Sequence, residues 1–456
     1  MQCIISKGFH RIPSHRTWAR RSLATLANPL PIARDPYWQN IKIWRNVKEE
    51  DFLSYRWQIA NTVQGAPNLF KFLENVLPET IPHRGNVQGH ERIQSREDFI
   101  VDVMEGIKLA PMSTRLTPHI LSQIDWTKNP LLDPLRRQFI PMKSSILPDH
   151  PSLSLDSLHE TEDSAVPGLV HRYPHKALFL ATSVCPIYCR FCTRSYSVGG
   201  ETDSVKKSRF LPTRKRWEKV FEYIDNTPTL HDIVISGGDA YYLEPEHIWE
   251  IGKRLLSIPH ILRIRYASKG LAVCPSRVLD DTDSWIYALN KVTELGRNEG
   301  KTVAWHTHFN HPNEITWITR LAARKLFQRG VTVRNQSTLL RGVNDDVPTM
   351  KRLIYDLADN NIQPYYVYQG DMVRGVEDLR TPLKTIIELE EQIRGTIAGF
   401  LMPQFVVDLP GGGGKRLACS YESYDRKTGV SKFIAPGVKD GNRIFEYHDP
   451  LWSLSG

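Results

Sequence analysis

"ALFLATSVCPIYCRFCTR", residues 177–194, runs an apolar stretch of strand length straight into three cysteines, Cys185, Cys189 and Cys192. The chain holds six cysteines in 456 residues, so half of them crowd one strand exit. A C-x3-C-x2-C run in that place admits three uses. As disulfides it leaves an odd thiol. As a zinc site it needs a fourth ligand, for which His171 or His175 would serve. As an iron–sulfur site it offers three thiolates to four irons and leaves one iron open to a ligand.

Outward from this stretch the chain alternates regularly. Apolar, β-branched runs at 177–184, 231–239, 261–269, 302–309, 331–340 and 363–371 are separated by amphipathic segments such as "RKRWEKVFEYID" and "TWITRLAARKLFQRG". Strands spaced by helix-length segments predict an α/β fold with a parallel sheet. Six repeats over residues 171–402 suit an incomplete (βα)6 TIM-like barrel better than a closed eight-fold one of ~250 residues. In such folds chemistry sits at the carboxyl ends of the strands. Those ends carry the cysteines, "SGGD" (236–239), "SKG" (268–270), "HTHFNHPNE" (306–314), "NQS" (335–337) and "YQGD" (368–371).

The flanks read differently. Residues 35–142 are dense in Trp, Leu and Arg and predict a helical N-terminal cap. Residues 143–170 are rich in Ser, Pro and acids and predict an extended connection. Residues 403–456 form a C-terminal segment around "VVDLPGGGGKRL" (406–417). Four glycines free the backbone to approach a ligand and deliver Lys415 from a turn. Taken alone, GGGGK is a flexible turn ending in a solvated lysine, and it lacks P-loop spacing.

Charge bounds the partners. Six of the nine net positive charges fall in Met1–Arg34, which has no acid. An Arg- and Ser-rich segment of this kind is expected to be a mitochondrial transit peptide, placing the mature chain in the matrix. No apolar run approaches a membrane span. Few, clustered cysteines fit a reducing compartment.

The spacing of the cysteines on a first barrel strand resembles the radical S-adenosylmethionine superfamily. Longer words narrow the resemblance to the lysine 2,3-aminomutase family: "HETEDSAVPGLVHRYP" (159–174), "YCRFCTR" (188–194), "ISGGDA" (235–240), "THFNHPNEIT" (307–316), "NQSTLLRGVND" (335–345), "PYYVYQGD" (364–371) and "VVDLPGGGGK" (406–415). That resemblance implies a [4Fe–4S] cluster on Cys185, Cys189 and Cys192, S-adenosylmethionine on its open iron, and pyridoxal 5′-phosphate held by Lys415. It also implies adenosylmethionine contacts from Gly237, Gly238, Asp239, His308 and Gln336, and pyridoxal phosphate contacts from Arg172 and Tyr173. A lysine of lowered pKa suits the role of Lys415.

For the substrate, L-lysine, the resemblance assigns the α-carboxylate to Arg194 and the distal ammonium to Asp371 and Asp408. The implied reaction is a 1,2-amino shift giving β-lysine, an isomerase activity fed by an electron donor and carried by a homo-oligomer. Ornithine or arginine would meet the same two acids. From another class, the chain reads as a zinc-stabilised, basic RNA-binding protein; the aminomutase reading has no nucleic-acid or membrane partner. The chain departs from the family where Asp346 replaces an internal zinc cysteine, where no cysteine follows Cys419, where Lys176 replaces an arginine, and across "YASKGLAVCPSRV" (266–278).

Overall fold

The computed structural model describes residues 33–82, 90–438 and 441–454. The transit-peptide reading of Met1–Arg34 therefore lies, but for its last two residues, outside the described residues. In chain order, β1 (Val63–Gln64) and β2 (Arg115–Leu116) form a small antiparallel pair. The main sheet holds β3 (Ser164–Val166), β4 (Leu169–Tyr173), β5 (Lys176–Thr182), β6 (Asp232–Gly237), β7 (Arg263–Ala267), β8 (Thr302–Thr307), β9 (Thr332–Thr338), β10 (Ile362–Tyr368), β11 (Gln404–Leu409) and β12 (Gly414–Leu417). They lie side by side in chain order. From β5 to β11 every neighbouring pair is parallel, and β3, β4 and β12 add antiparallel edges.

Each of the six expected runs becomes one of the strands β5 to β10. The sheet nevertheless extends past both ends of 171–402. A seventh parallel strand, β11, carries Asp408, and β12 folds back on it so that Asp408 faces Lys415 across the ladder.

Helices Arg214–Asp225, Pro245–Leu256, Trp285–Asn298, Trp317–Gln328, Val347–Ala358 and Leu383–Ile393 follow β5 to β10 in turn. Their sequences explain them. In the first, Trp217, Val220, Phe221 and Ile224 recur at helical spacing and are buried. Asp346, the departure from the family's cysteine, caps Val347–Ala358 by accepting from the Thr349 N–H at 2.9 Å.

Strand alternation sorts the two faces of the sheet. On β7, Ile264 and Tyr266 are buried on the helix side, where the Tyr266 hydroxyl donates to the Ile248 carbonyl at 2.8 Å. Arg263, Arg265 and Ala267, on the other face, line a central cavity. β9 does the same with Arg334, Gln336 and Thr338.

Residues 36–142 are mainly short helices, the longest being Ala66–Val76 and Arg96–Leu109. They dock through aromatics: Trp38 stacks on Phe52 at 4.3 Å and reaches Trp317 at 6.4 Å. The segment expected as an extended connection, 143–170, runs largely through turns and is packed, with Leu153, Ser157, Leu158 and Glu160 buried. Past β12, strands β13 (Ser423–Asp425), β14 (Val430–Ile434) and β15 (Ile444–His448) form an antiparallel sheet. Its Tyr447 hydroxyl donates to the Gly370 carbonyl at 2.8 Å, next to Asp371.

Two glycines shape the rim. Gly237 has φ +118°, and a Cβ there would lie 2.1 Å from the Thr182 carbonyl. A Cβ on Gly238 would lie 2.4 Å from the Val184 carbonyl. The exit of β6 thus presses on the backbone that enters the cysteine run, joined by the Gly238 N–H to Thr182 at 2.6 Å and the Asp239 N–H to Val184 at 3.0 Å. Because those obstacles are backbone, Gly238→Ala is expected to destabilise the protein by about 1–3 kcal/mol. Thermal unfolding with the midpoint unmoved would contradict that.

Candidate active site

The carboxyl ends of β5 to β11 open onto one cavity of about 620 Å³. The three thiols sit on its wall, half-buried. Cys185 and Cys192 pack on Met112, Tyr188 and Val198, while Cys189 packs on Phe191, Leu340, Val343 and Leu379. Burial pushes each thiol up, Cys189 to about 12.

Among the described residues no three His, Cys, Asp or Glu side chains converge on a single ion. His171 and His175 stand near the start of β5, the far end from the cysteines, and bond to Tyr223 and to the Thr229 carbonyl. A one-ion zinc site on these residues is geometrically closed, because the length of β5 separates them from the thiols. Three thiols spaced around one wall suit the larger body of a multi-iron cluster.

The loop after β6 turns inward. Asp239 is buried; its carboxylate accepts from the Tyr241 N–H at 2.7 Å and the Lys269 N–H at 2.8 Å. Gly238 lines the cavity beside it. His308 lines the cavity as a neutral ring, since burial first and the Lys269 charge second hold its pKa well below normal. Its Nε2–H donates to Asn310 Oδ1 at 3.0 Å, an oxygen that also takes the Thr338 N–H, so its Nδ1 is left as the acceptor. Gln336 spends both ends of its amide, one on His306 Nδ1 at 2.7 Å and one on the Tyr368 hydroxyl at 2.8 Å.

At the opposite wall the charges are dense. Lys415 Nζ lies 2.7 Å from Asp408 Oδ2, and its backbone N–H donates to the Tyr173 hydroxyl at 3.1 Å. The expectation of a lowered lysine pKa is corrected here. Burial opposes the ammonium, but the charge and hydrogen bond of Asp408 overcome it and hold Lys415 well above its ordinary value. Against the same burial, Lys415, then Arg172 and Lys176, hold Asp408 below the usual range.

Asp371 has no such partner. Burial first and Asp408 next push it up to about 8. Its Oδ1, like Asp408 Oδ1, is buried without a hydrogen bond. Two orphaned carboxylate oxygens on one wall form a receptor for a cation.

Arg194 is already gripped. Glu160 takes its Nε at 2.8 Å and its Nη2 at 2.7 Å, and also accepts from the Tyr196 hydroxyl at 3.0 Å. Arg172 is tied through Nε to Asp163 at 2.6 Å and through Nη2 to the Leu158 carbonyl. Lys176 sits 3.8 Å from the centre of the Tyr173 ring. Arg265 and Arg334 line the same cavity, and Arg265 Nε is buried without a partner.

Arg265, Arg334, Lys269, Glu160 and His306 were not singled out from sequence. For Arg265 and Arg334 the signal was present in the strand alternation, which puts alternate residues of "RIRYA" and "TVRNQST" on the cavity face.

Fold and site together define an α/β enzyme that works at the carboxyl ends of parallel strands, with thiols on one wall of its cavity and a protonated lysine on another. No protein-family model matches the chain. The L-lysine 2,3-aminomutase of Fusobacterium nucleatum subsp. nucleatum is 37% identical over 374 residues, which is 82% of this chain and 78% of that protein. The L-lysine 2,3-aminomutase of Acetoanaerobium sticklandii is 38% identical over 376 residues, 82% and 80% of the two chains. The glutamate 2,3-aminomutase of Clostridioides difficile is 28% identical over 370 residues. The chain belongs to the lysine 2,3-aminomutase family.

Proposed function

We propose that the protein is an isomerase that converts L-lysine to β-lysine by moving the amino group from the α- to the β-carbon. The observation that carries the choice of lysine is the pair of buried carboxylates, Asp371 and Asp408, each with an oxygen lacking a partner. Two acids there repel the side chain of glutamate and attract a distal ammonium. In this reading β5 to β10 are the incomplete six-fold barrel, β11 extends it, and residues 35–142 are its cap.

The residues present fit both implied cofactors. Cys185, Cys189 and Cys192 would hold a [4Fe–4S] cluster. Gly238, Asp239, His308 and Gln336 would surround S-adenosylmethionine, with Gly237 shaping the turn. Lys415 would carry pyridoxal phosphate, with Tyr173 beside it. Arg172, Lys176, Arg265 and Arg334 give that wall the positive charge that a phosphate needs. When bound, these groups supply hydrogen abstraction by a carbon radical and a conjugated system that stabilises the migrating nitrogen.

The chain's own work is binding and orientation. Asp371 and Asp408 hold the distal ammonium. Arg194 takes the α-carboxylate while Glu160 and Tyr196 keep its guanidinium from rotating. Lys415 would leave Asp408 on taking up pyridoxal phosphate, which frees the Asp408 carboxylate for the substrate ammonium, so one cation replaces another on that wall. Enclosure by the strands and by residues 143–168 keeps water from the reacting carbons.

The pH dependence follows from Asp371. A carboxyl raised to about 8 is protonated below that pH, and an ammonium binds its ionised form. Between pH 6 and 8, kcat/KM for lysine is expected to rise with a log slope of up to about one. Asp371→Asn should flatten that limb and raise KM; a limb unchanged in the variant would contradict the assignment.

Substrate choice is tested by supplying the reconstituted enzyme with L-lysine, L-ornithine, L-arginine and L-glutamate in parallel. Turnover confined to lysine supports the reading. Preference for ornithine or arginine keeps the site and moves the substrate. For Met1–Arg34 we hold to mitochondrial import, on composition; a fluorescent fusion left in the cytosol would overturn it.

A further inference from the structure

The proposed chemistry is redox-neutral overall but starts only from a cluster primed with one electron, and the structure carries a surface suited to receive the donor of that electron. Residues 206–216, "KKSRFLPTRKR", hold six basic side chains and no acid. This strap is latched along the cysteine loop. Lys207 donates to the carbonyls of Ser195 and Pro111, and Ser208 N–H to Tyr196 at 2.9 Å. Phe210 N–H donates to Ser183 Oγ at 2.6 Å, and Arg216 to the Leu180 and Ala181 carbonyls at 2.8 and 2.6 Å. All of these latches but the one to Pro111 lie within five residues of Cys185 or Cys192.

The latches spend Lys207 and Arg216, and Arg214 pairs with Glu250. Lys206, Arg209 and Lys215 remain exposed, with no carboxylate partner given among the described residues. Between them Leu211 stands 65% exposed. Tyr188 feels the Arg209 charge and packs, with Val198, against Cys185 and Cys192. Free cations around an exposed apolar side chain, on a strap bonded to the segments on either side of the cysteine run, match the rim-and-anchor pattern of a protein docking surface.

We propose that residues 206–215 are the docking face for an acidic one-electron carrier protein, an iron–sulfur or flavin protein, with Leu211 as its apolar anchor. The inference rests on the cluster assignment above. The step moves one electron: the reduced carrier is oxidised as the [4Fe–4S]²⁺ cluster becomes [4Fe–4S]⁺, with no bond made or broken. An anionic nucleic acid is the rival occupant, and the test separates the two.

The experiment uses the full chain and a plant-type [2Fe–2S] ferredoxin. Carrier binding is measured directly by interferometry across a salt series, and adenosylmethionine cleavage is driven either by reduced ferredoxin or by dithionite. Lys206→Glu/Arg209→Glu is expected to weaken carrier binding about tenfold at low salt and to flatten its salt dependence. Leu211→Ser should weaken binding at all salt concentrations. Dithionite-driven cleavage should be unchanged in both. Binding that ignores the charge reversal overturns the docking face alone, as does single-stranded RNA that displaces ferredoxin from the same residues. Failure of the wild type to cleave adenosylmethionine with dithionite overturns the functional reading, and this inference with it.

Discussion

Lys415→Ala is expected to lower β-lysine formation by on the order of 10⁴-fold or more, with loss of the visible absorbance that pyridoxal phosphate acquires on a protein lysine. The size follows from position. Among the described residues, Lys415 and Lys176 are the lysines that share the cavity wall with Asp408, and Lys415 is the one directly opposite it across the β11–β12 ladder. Gly414, at φ +71°, packs so close to Tyr173 that a Cβ would lie 2.2 Å from its hydroxyl. The turn is thereby pinned, and a lysine elsewhere will not reach the same point. Cluster content should be untouched in the variant, because the thiols belong to another wall. An alanine variant that kept both absorbance and product would show that Lys176 or another amine holds the cofactor.

Cys189→Ala is the second large effect. Cys189 packs on the Phe191, Leu340, Val343 and Leu379 cluster, while the other two thiols pack on Met112, Tyr188 and Val198. Its loss removes the ligand on that side, and two remaining thiolates do not retain four irons against solvent. Iron and acid-labile sulfide should fall to background, and adenosylmethionine cleavage should fall with them by at least about 10³-fold. Pyridoxal binding at Lys415 should persist. The two variants therefore fail in complementary ways, and a Cys189→Ala protein that retained stoichiometric iron would remove the cluster from this site.

Much of this was legible beforehand because the inward and outward faces of a parallel strand leave different marks. The apolar half of each strand, such as Ile233 and Ile235 on β6, faces helices and made the six runs visible. The exits carried rare polar words, and these line the cavity. What escaped reading was decided by pairing at a distance. β11 is a six-residue strand whose identity depends on lying beside β10, and nothing local in "QFVVDL" says so. Glu160 sits in a stretch read as connection; its grip on Arg194 arises because residues 143–168 fold across the rim.

The pKa of Lys415 was misjudged for the same reason. Burial alone lowers a lysine, and only the antiparallel return of β12 places Asp408 2.7 Å from it. The glycines of "SGGD" carry a structural duty as well as the expected ligand one. They allow the backbone contact between the β6 exit and the Thr182–Val184 segment on which the placement of Cys185 depends.

The central claim is that nitrogen moves from the α- to the β-carbon of the same lysine molecule. The direct measurement supplies the reconstituted enzyme with lysine carrying ¹⁵N at the α-amino group and ¹³C at the β-carbon, and follows the carbon spectrum. The account predicts a one-bond ¹³C–¹⁵N coupling that grows at the β-carbon as β-lysine accumulates, and that is absent with Lys415→Ala. Adenosylmethionine cleavage without that coupling, or β-amino product whose nitrogen is unlabelled, would contradict it.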